Sequence, residues 1–221
     1  MNKKTQSIFS LVAGCIAALV ALFSLISGII WLTRISFDDV QYGIYVIVSA
    51  LANLAAAAGL TFCGVKLIIG FTKKADEPKF VQLLAVVFFA FQVVLQLLYL
   101  FIFIDMIAYL GVTFWLVLIV GAAGLVCSLV ALFAKFDAKS KNIFNMVVSG
   151  IGFVFAILIL AQGGLETLAL VSNIFVMIMF AVTFTYFLFG LLIDNKGGNS
   201  EPAKVEEPKA EEEPAKEDSA E

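Results

Sequence analysis

Between Tyr42 and Phe71 the chain runs for thirty residues with one charge, Lys66, close to one end. As a helix rising ~1.5 Å per residue, such a run measures about 45 Å, which exceeds a hydrocarbon core of ~30 Å. It reads as a transmembrane helix that ends in the charged segment 72–79. Within it Ser49, Ala52, Ala56, Gly59 and Cys63 recur at helical spacing as a stripe of small side chains. Lipid tails give two helices no hydrophobic reason to associate, so close backbone approach over small residues is a main source of attraction. This helix is expected to be the packing hub of a polytopic membrane protein.

Five further apolar runs extend the pattern. The spans read as about 8–32, 42–71, 80–103, 111–133, 143–161 and 168–193, with residues 1–7 preceding them. Between Phe80 and Ala134 the only charge is Asp105. A single helix of that length would measure about 80 Å, so the chain must reverse near Asp105. Glycines at 163 and 164 mark another turn. The expected fold is all-α: a six-helix transmembrane bundle built as three helical hairpins. The first span carries its own small residues, Ala17, Ala21, Ser24 and Gly28, and the fourth carries Gly121 and Gly124; all six are helix-packing candidates. Ala57-Ala58-Gly59-Leu60 recurs as Ala122-Ala123-Gly124-Leu125. Membrane sequence of low complexity matches itself easily, however, and no duplication is inferred.

Composition agrees: 62% of residues are hydrophobic, 14% are charged and mean hydropathy is +1.05. Soluble domains are typically about 45–50% apolar and about 25% charged. The net charge of −3 divides unevenly. Residues 201–221 hold nine acids against three lysines, or −6, which leaves residues 1–200 at +3. This tail, with Pro202, Pro208 and Pro214 spaced evenly among Glu, Lys and Ala, cannot bury enough apolar area to offset its ordering entropy. Residues 195–221 are therefore expected to be a disordered acidic segment, a solvated extension rather than a docking element. No clustered basic face speaks for nucleic acid.

Orientation follows from the cations. With both termini inside, Lys3, Lys4, Lys73, Lys74, Lys79, Lys135, Lys139, Lys141 and Lys196 fall on the inner side and Arg34 alone on the outer. That is the asymmetry of the positive-inside rule. Trp31, Tyr42, Tyr45, Tyr99, Tyr109 and Trp115 then gather near the outer boundary as an aromatic belt. The expected location is the cytoplasmic membrane, with N- and C-termini cytoplasmic.

The segment Val12-Ala13-Gly14-Cys15 resembles the lipobox of bacterial lipoproteins. It departs from that motif because apolar sequence continues for a whole span after Cys15, where a lipoprotein shows a polar linker. An uncleaved first span is the expectation. Cys15, Cys63 and Cys127 fall at comparable depth, and soft thiolates select Cu(I). With no C-x-x-C spacing and no histidine in the chain, they are expected to pack as small residues, with no metal and no cofactor.

No motif identifies a chemistry. The carboxylates Asp105, Glu166 and Asp194 sit at span ends, and no nucleophile–base pair or phosphate loop is present, so the chain reads as non-enzymatic. Intramembrane polar residues are the remaining candidates. Asn53, Gln92, Gln96 and Asn173, counted from the outer boundary, occupy one layer on the order of 7–16 Å deep. They either hydrogen-bond across helices or line a cavity open to the outside for a neutral polar ligand. The leading expectation is a protein acting by helix packing, with itself or with a membrane-protein partner, in contact with lipid. The alternative is a small permease, or the substrate-binding membrane subunit of a transporter for a neutral polar small molecule. Size and span count are similar to the six-span substrate-capture subunits of vitamin uptake systems, with no shared motif. The two readings differ in geometry. A transporter subunit needs a polar cavity between spans two, three and six, whereas a packing partner needs an exposed groove of small residues.

Overall fold

The computed structural model describes residues 3–35, 39–73, 78–104, 110–162 and 166–197. The expected reversal at Asp105, the belt residue Tyr109, the glycine turn at 163–164 and the acidic tail from 198 onward lie outside the described residues. Six helices follow in order: α1 (Lys3–Thr33), α2 (Val40–Thr72), α3 (Pro78–Ile102), α4 (Val112–Phe133), α5 (Ala138–Gln162) and α6 (Thr167–Gly197). All six are long and apolar enough to cross a membrane. The described residues contain no strand.

Local chemistry sets several helix ends. The Asp39 carboxylate accepts a hydrogen bond from the Tyr42 amide at 3.1 Å and so caps α2. Asp137 does the same for α5, accepting from the Ser140 amide at 3.1 Å. Pro78 opens α3, where its missing N–H costs nothing.

Each helix packs on its neighbours in the chain, and α6 returns to α1, closing a ring. The most extensive contact is between α1 and α2, and there the two backbones touch. A Cβ on Gly14 would lie 3.0 Å from the Gly64 carbonyl oxygen, and one on Gly64 would lie 2.8 Å from that of Gly14. Fourteen residues along α1, Gly28 approaches the Ala50 carbonyl oxygen in the same way, at 3.3 Å. The antiparallel register that joins these pairs sets Ala21 opposite Ala57. Gly14, Ala21 and Gly28 thus face Gly64, Ala57 and Ala50 at intervals of seven, the spacing that keeps one face of each helix turned to its partner.

The small-residue candidates distribute over this geometry. Ala17, Ala21, Ser24, Gly28, Ser49, Ala56, Gly121 and Gly124 are buried, while Ala52 and Gly59 are partly covered. Gly59 turns to α3, where a Cβ would meet Val87 at 2.9 Å. Gly124, in the second copy of the Ala-Ala-Gly-Leu tetrapeptide, also faces α3, under the ring of Phe89. Gly121 lies against Phe155 and Gly152 against Phe180 in the same fashion. Glycine is needed at these seats because a ring fills the volume a Cβ would take. The seated rings, with Phe88, form the centre of the core: Phe88 lies 5.2 Å from Phe180 and 5.8 Å from Phe155, and Phe89 lies 5.6 Å from Phe155.

Outside the ring the surface is greasy. Ile119, Val126 and Phe133 are 62%, 60% and 76% exposed, an apolar expanse that suits lipid and not water. The two poles differ. At one, Trp31, Tyr45, Tyr99, Phe103, Phe114 and Trp115 form a continuous chain of ring contacts. At the other lie Lys73, Lys79, Lys135, Lys139 and Lys141. Lys66, in the last third of α2, places its ammonium 5.8 Å from the Phe62 ring and 5.9 Å from that of Phe80. That is within the range of cation–π attraction.

Candidate functional site

Near the aromatic pole the bundle forms a partly open cavity of about 250 Å³. Asn53 from α2, Gln92 and Gln96 from α3 and Asn173 from α6 all line it, so the four amides placed in one layer by residue counting do converge on one space. The helices explain why. Gln92 and Gln96 are one turn apart on one face of α3. Asn53 lies in the buried row of α2 that also holds Val46, Leu60 and Leu67 at intervals of seven. Asn173 is buried on α6.

Their hydrogen bonds separate packing from binding. The Asn173 amide nitrogen donates to the Ala156 carbonyl oxygen of α5 at 2.8 Å, a true cross-helix bond. Asn53 donates to the Ser49 carbonyl oxygen of its own helix, also at 2.8 Å. Among the described residues none of these four amides bonds to another, and Gln92 and Gln96 make no hydrogen bond. A polar group denied partners in a dry site costs about 1–3 kcal/mol. Two glutamines side by side without protein partners are therefore suited to a wet cavity or a polar ligand.

Residue counting did not find the rest of the wall. Ser24 and Ser27 of α1, Ser172 of α6 and Gln162 of α5 add hydroxyl and amide groups, and Trp31 stands at the pole end. Ser24 was legible only as a small packing residue. Ser172 could have been flagged as the polar neighbour of Asn173. The floor is apolar, made by Val20, Leu60, Phe88, Ile159 and Val176, and among the described residues no charged side chain lines the cavity.

Charge sits just above it. The Arg34 guanidinium bonds the Glu166 carboxylate at 2.7 Å and lies 5.5 Å from the Trp31 ring centroid, so the end of α1 is clasped to the start of α6. The bond to Glu166 raises the guanidinium pKa above its ordinary value. Both side chains are largely exposed, so salt screens the pair.

The cysteines do not assemble a centre. Cys15 is exposed, Cys63 is buried and Cys127 is half-buried, and among the described residues no three Cys, Asp or Glu side chains converge in a metal-binding group. Comparison with protein-family models, curated proteins and solved structures finds no match to this chain.

Proposed function

We propose that the cavity at the aromatic pole binds a small, neutral, polar solute, and that the protein is a permease or solute-capturing subunit of the cytoplasmic membrane. In this reading the six helices form three hairpins, the lysine pole and both termini face the cytoplasm, and the cavity serves the outer side. The single observation that carries it is that Gln92 and Gln96 meet Asn53 and Asn173 on one cavity while neither glutamine has a hydrogen-bond partner among the described residues. The absence of charge on its wall selects a neutral solute. At about 250 Å³ the cavity lies below the ~300–1,000 Å³ of sites for drug-sized ligands, which suits a small solute. Amides and hydroxyls supply both donors and acceptors, so the solute carries both in turn. Action by helix packing alone draws less support, because the small rows of α1 and α2 are spent on each other inside the chain.

The test is a thermal-shift assay on protein in mild detergent with glycerol, urea and nicotinamide as probes. A saturable rise in melting midpoint is expected for at least one of them. Asn53→Leu and Gln96→Leu should each weaken that response about tenfold, the worth of one net hydrogen bond, while abundance is unchanged. Loss of folded protein in both variants would identify the amides as packing groups and refute the assignment.

A further inference from the structure

A second polar cavity, of about 270 Å³, opens at the lysine pole between α1, α3, α5 and α6. Gln6, Gln82, Lys141 and Asn142 line it, with Tyr186 beside them. Gly190 makes room for it: a Cβ there would come within 2.9 Å of the amide nitrogens of both Gln6 and Asn142. One group in its wall is not satisfied by the protein. Gln82 is 3% exposed, and its Oε1 accepts no hydrogen bond. A buried acceptor of that kind calls for a donor from outside the fold.

Helices α1, α3, α5 and α6 line both cavities, and α2 joins them at the first. On α3 the order is Gln82, then Phe88 and Phe89, then Gln92 and Gln96; on α6 it is Tyr186, then Phe180, then Asn173. Residues 82, 89, 92 and 96 fall on one face of α3, so a single stripe reads amide, ring, amide, amide. Phe88 is both the floor of the first cavity and a member of the central ring cluster. From Gln82 to Phe88 is six residues, or about 9 Å of helix. That cluster of phenylalanines, packed with the buried Leu84 and Ala85, lies between the two polar spaces along α3.

We infer that the lysine-pole cavity is the other end of one solute path through the bundle, and that Phe88, Phe89, Phe155 and Phe180 close it between the ends. This rests on the reading of the first cavity as a solute site, and turns a binding protein into a conducting one. The solute must satisfy the polar lining at one end and the paired glutamines at the other. Small amides and polyols meet both demands.

Two measurements test it. First, single cysteines are placed at Gln92, Gln82 and Gln6 in a background with Cys15→Ala, Cys63→Ala and Cys127→Ala, and labelled with a membrane-impermeant methanethiosulfonate. Gln92→Cys is expected to react from one side of the membrane, and Gln82→Cys and Gln6→Cys from the other. Second, proteoliposomes carrying Phe88→Ala are expected to take up urea and glycerol at least tenfold faster than those carrying the parent chain, by osmotic light scattering. Phe88→Val serves as the milder truncation where alanine fails to fold. Labelling of Gln82→Cys and Gln92→Cys from the same side, or of neither Gln82→Cys nor Gln6→Cys, would overturn the inference. So would truncated variants no more permeable than the parent chain. That last result would leave solute binding at the first cavity standing, because the thermal-shift assay reads binding without transit.

Discussion

The contact between α1 and α2 leaves no slack at Gly64, and this can be measured. An alanine there would put its Cβ 2.8 Å from the Gly14 carbonyl oxygen. The obstacle is backbone on both sides, so no side-chain rotation relieves it. To reach the 3.4 Å at which ordinary contact begins, the two helices must part by about 0.6 Å. A gap of that order forfeits roughly a quarter to a half of each contact's dispersion energy. The loss extends along the seam through the Ala21–Ala57 and Gly28–Ala50 positions. Overpacking of this kind costs about 1–3 kcal/mol. Replacing glycine by alanine within a helix also gains ~0.8–1 kcal/mol of propensity, which would blur the result on its own. Gly150 on α5 supplies the control, since nothing lies within 4 Å of a Cβ added there. Gly64→Ala should therefore be less stable than Gly150→Ala by about 1–3 kcal/mol, up to roughly a hundredfold in the folding equilibrium. Adding Gly14→Ala to Gly64→Ala should cost less than its single effect, because both changes open the same gap. Denaturation by sodium dodecyl sulfate in mixed micelles, followed by circular dichroism, reads these differences. Equal stability of Gly64→Ala and Gly150→Ala would refute the backbone-contact argument.

Two further predictions concern the ends of helices. The Ser140 hydroxyl and amide hold the Asp137 carboxyl below the ordinary carboxylate range. Its folded pKa is thus lower than its unfolded one, so its stabilising contribution is fully present above about pH 4 and is lost as pH falls through the folded value. Melting midpoints of Asp137→Asn and the parent chain should converge at acid pH; a constant gap would count against the cap. At the other pole, Glu166→Gln should lower the midpoint at low ionic strength, and the difference should shrink at 1 M salt, where the screening length is ~3 Å. A difference unchanged by salt would mean that Arg34 and Glu166 are held by something other than their charges.

Much of this architecture was legible because membrane helices obey simple lengths. Six apolar runs became six helices, and counting ~1.5 Å per residue was enough to put Asn53, Gln92, Gln96 and Asn173 at one level. Depth along a span is readable from sequence; rotation about it is less so. That is why Ala52 and Gly59 were grouped with Ser49, Ala56 and Cys63, although Gly59 turns toward α3. The seven-residue spacing of Gly14, Ala21 and Gly28 against Gly64, Ala57 and Ala50 was present in the chain, but only the register between helices gives it meaning. The lysine-pole cavity stayed hidden for another reason. Gln82 lies two residues into a span, where a polar side chain looks interfacial, and only the folded bundle makes it buried.

Lys66 has a consequence for how the molecule sits in its bilayer. Its ammonium, between the Phe62 and Phe80 rings, lies two turns of helix short of Lys73. A long, flexible stem lets such a charge reach headgroup phosphates from within the acyl region. Sliding α2 toward the Trp31 end would drag that charge into hydrocarbon, while sliding it the other way would lift Phe62 into water. The reach of the Lys66 stem thus limits how far the tightest helix pair can slide along the bilayer normal.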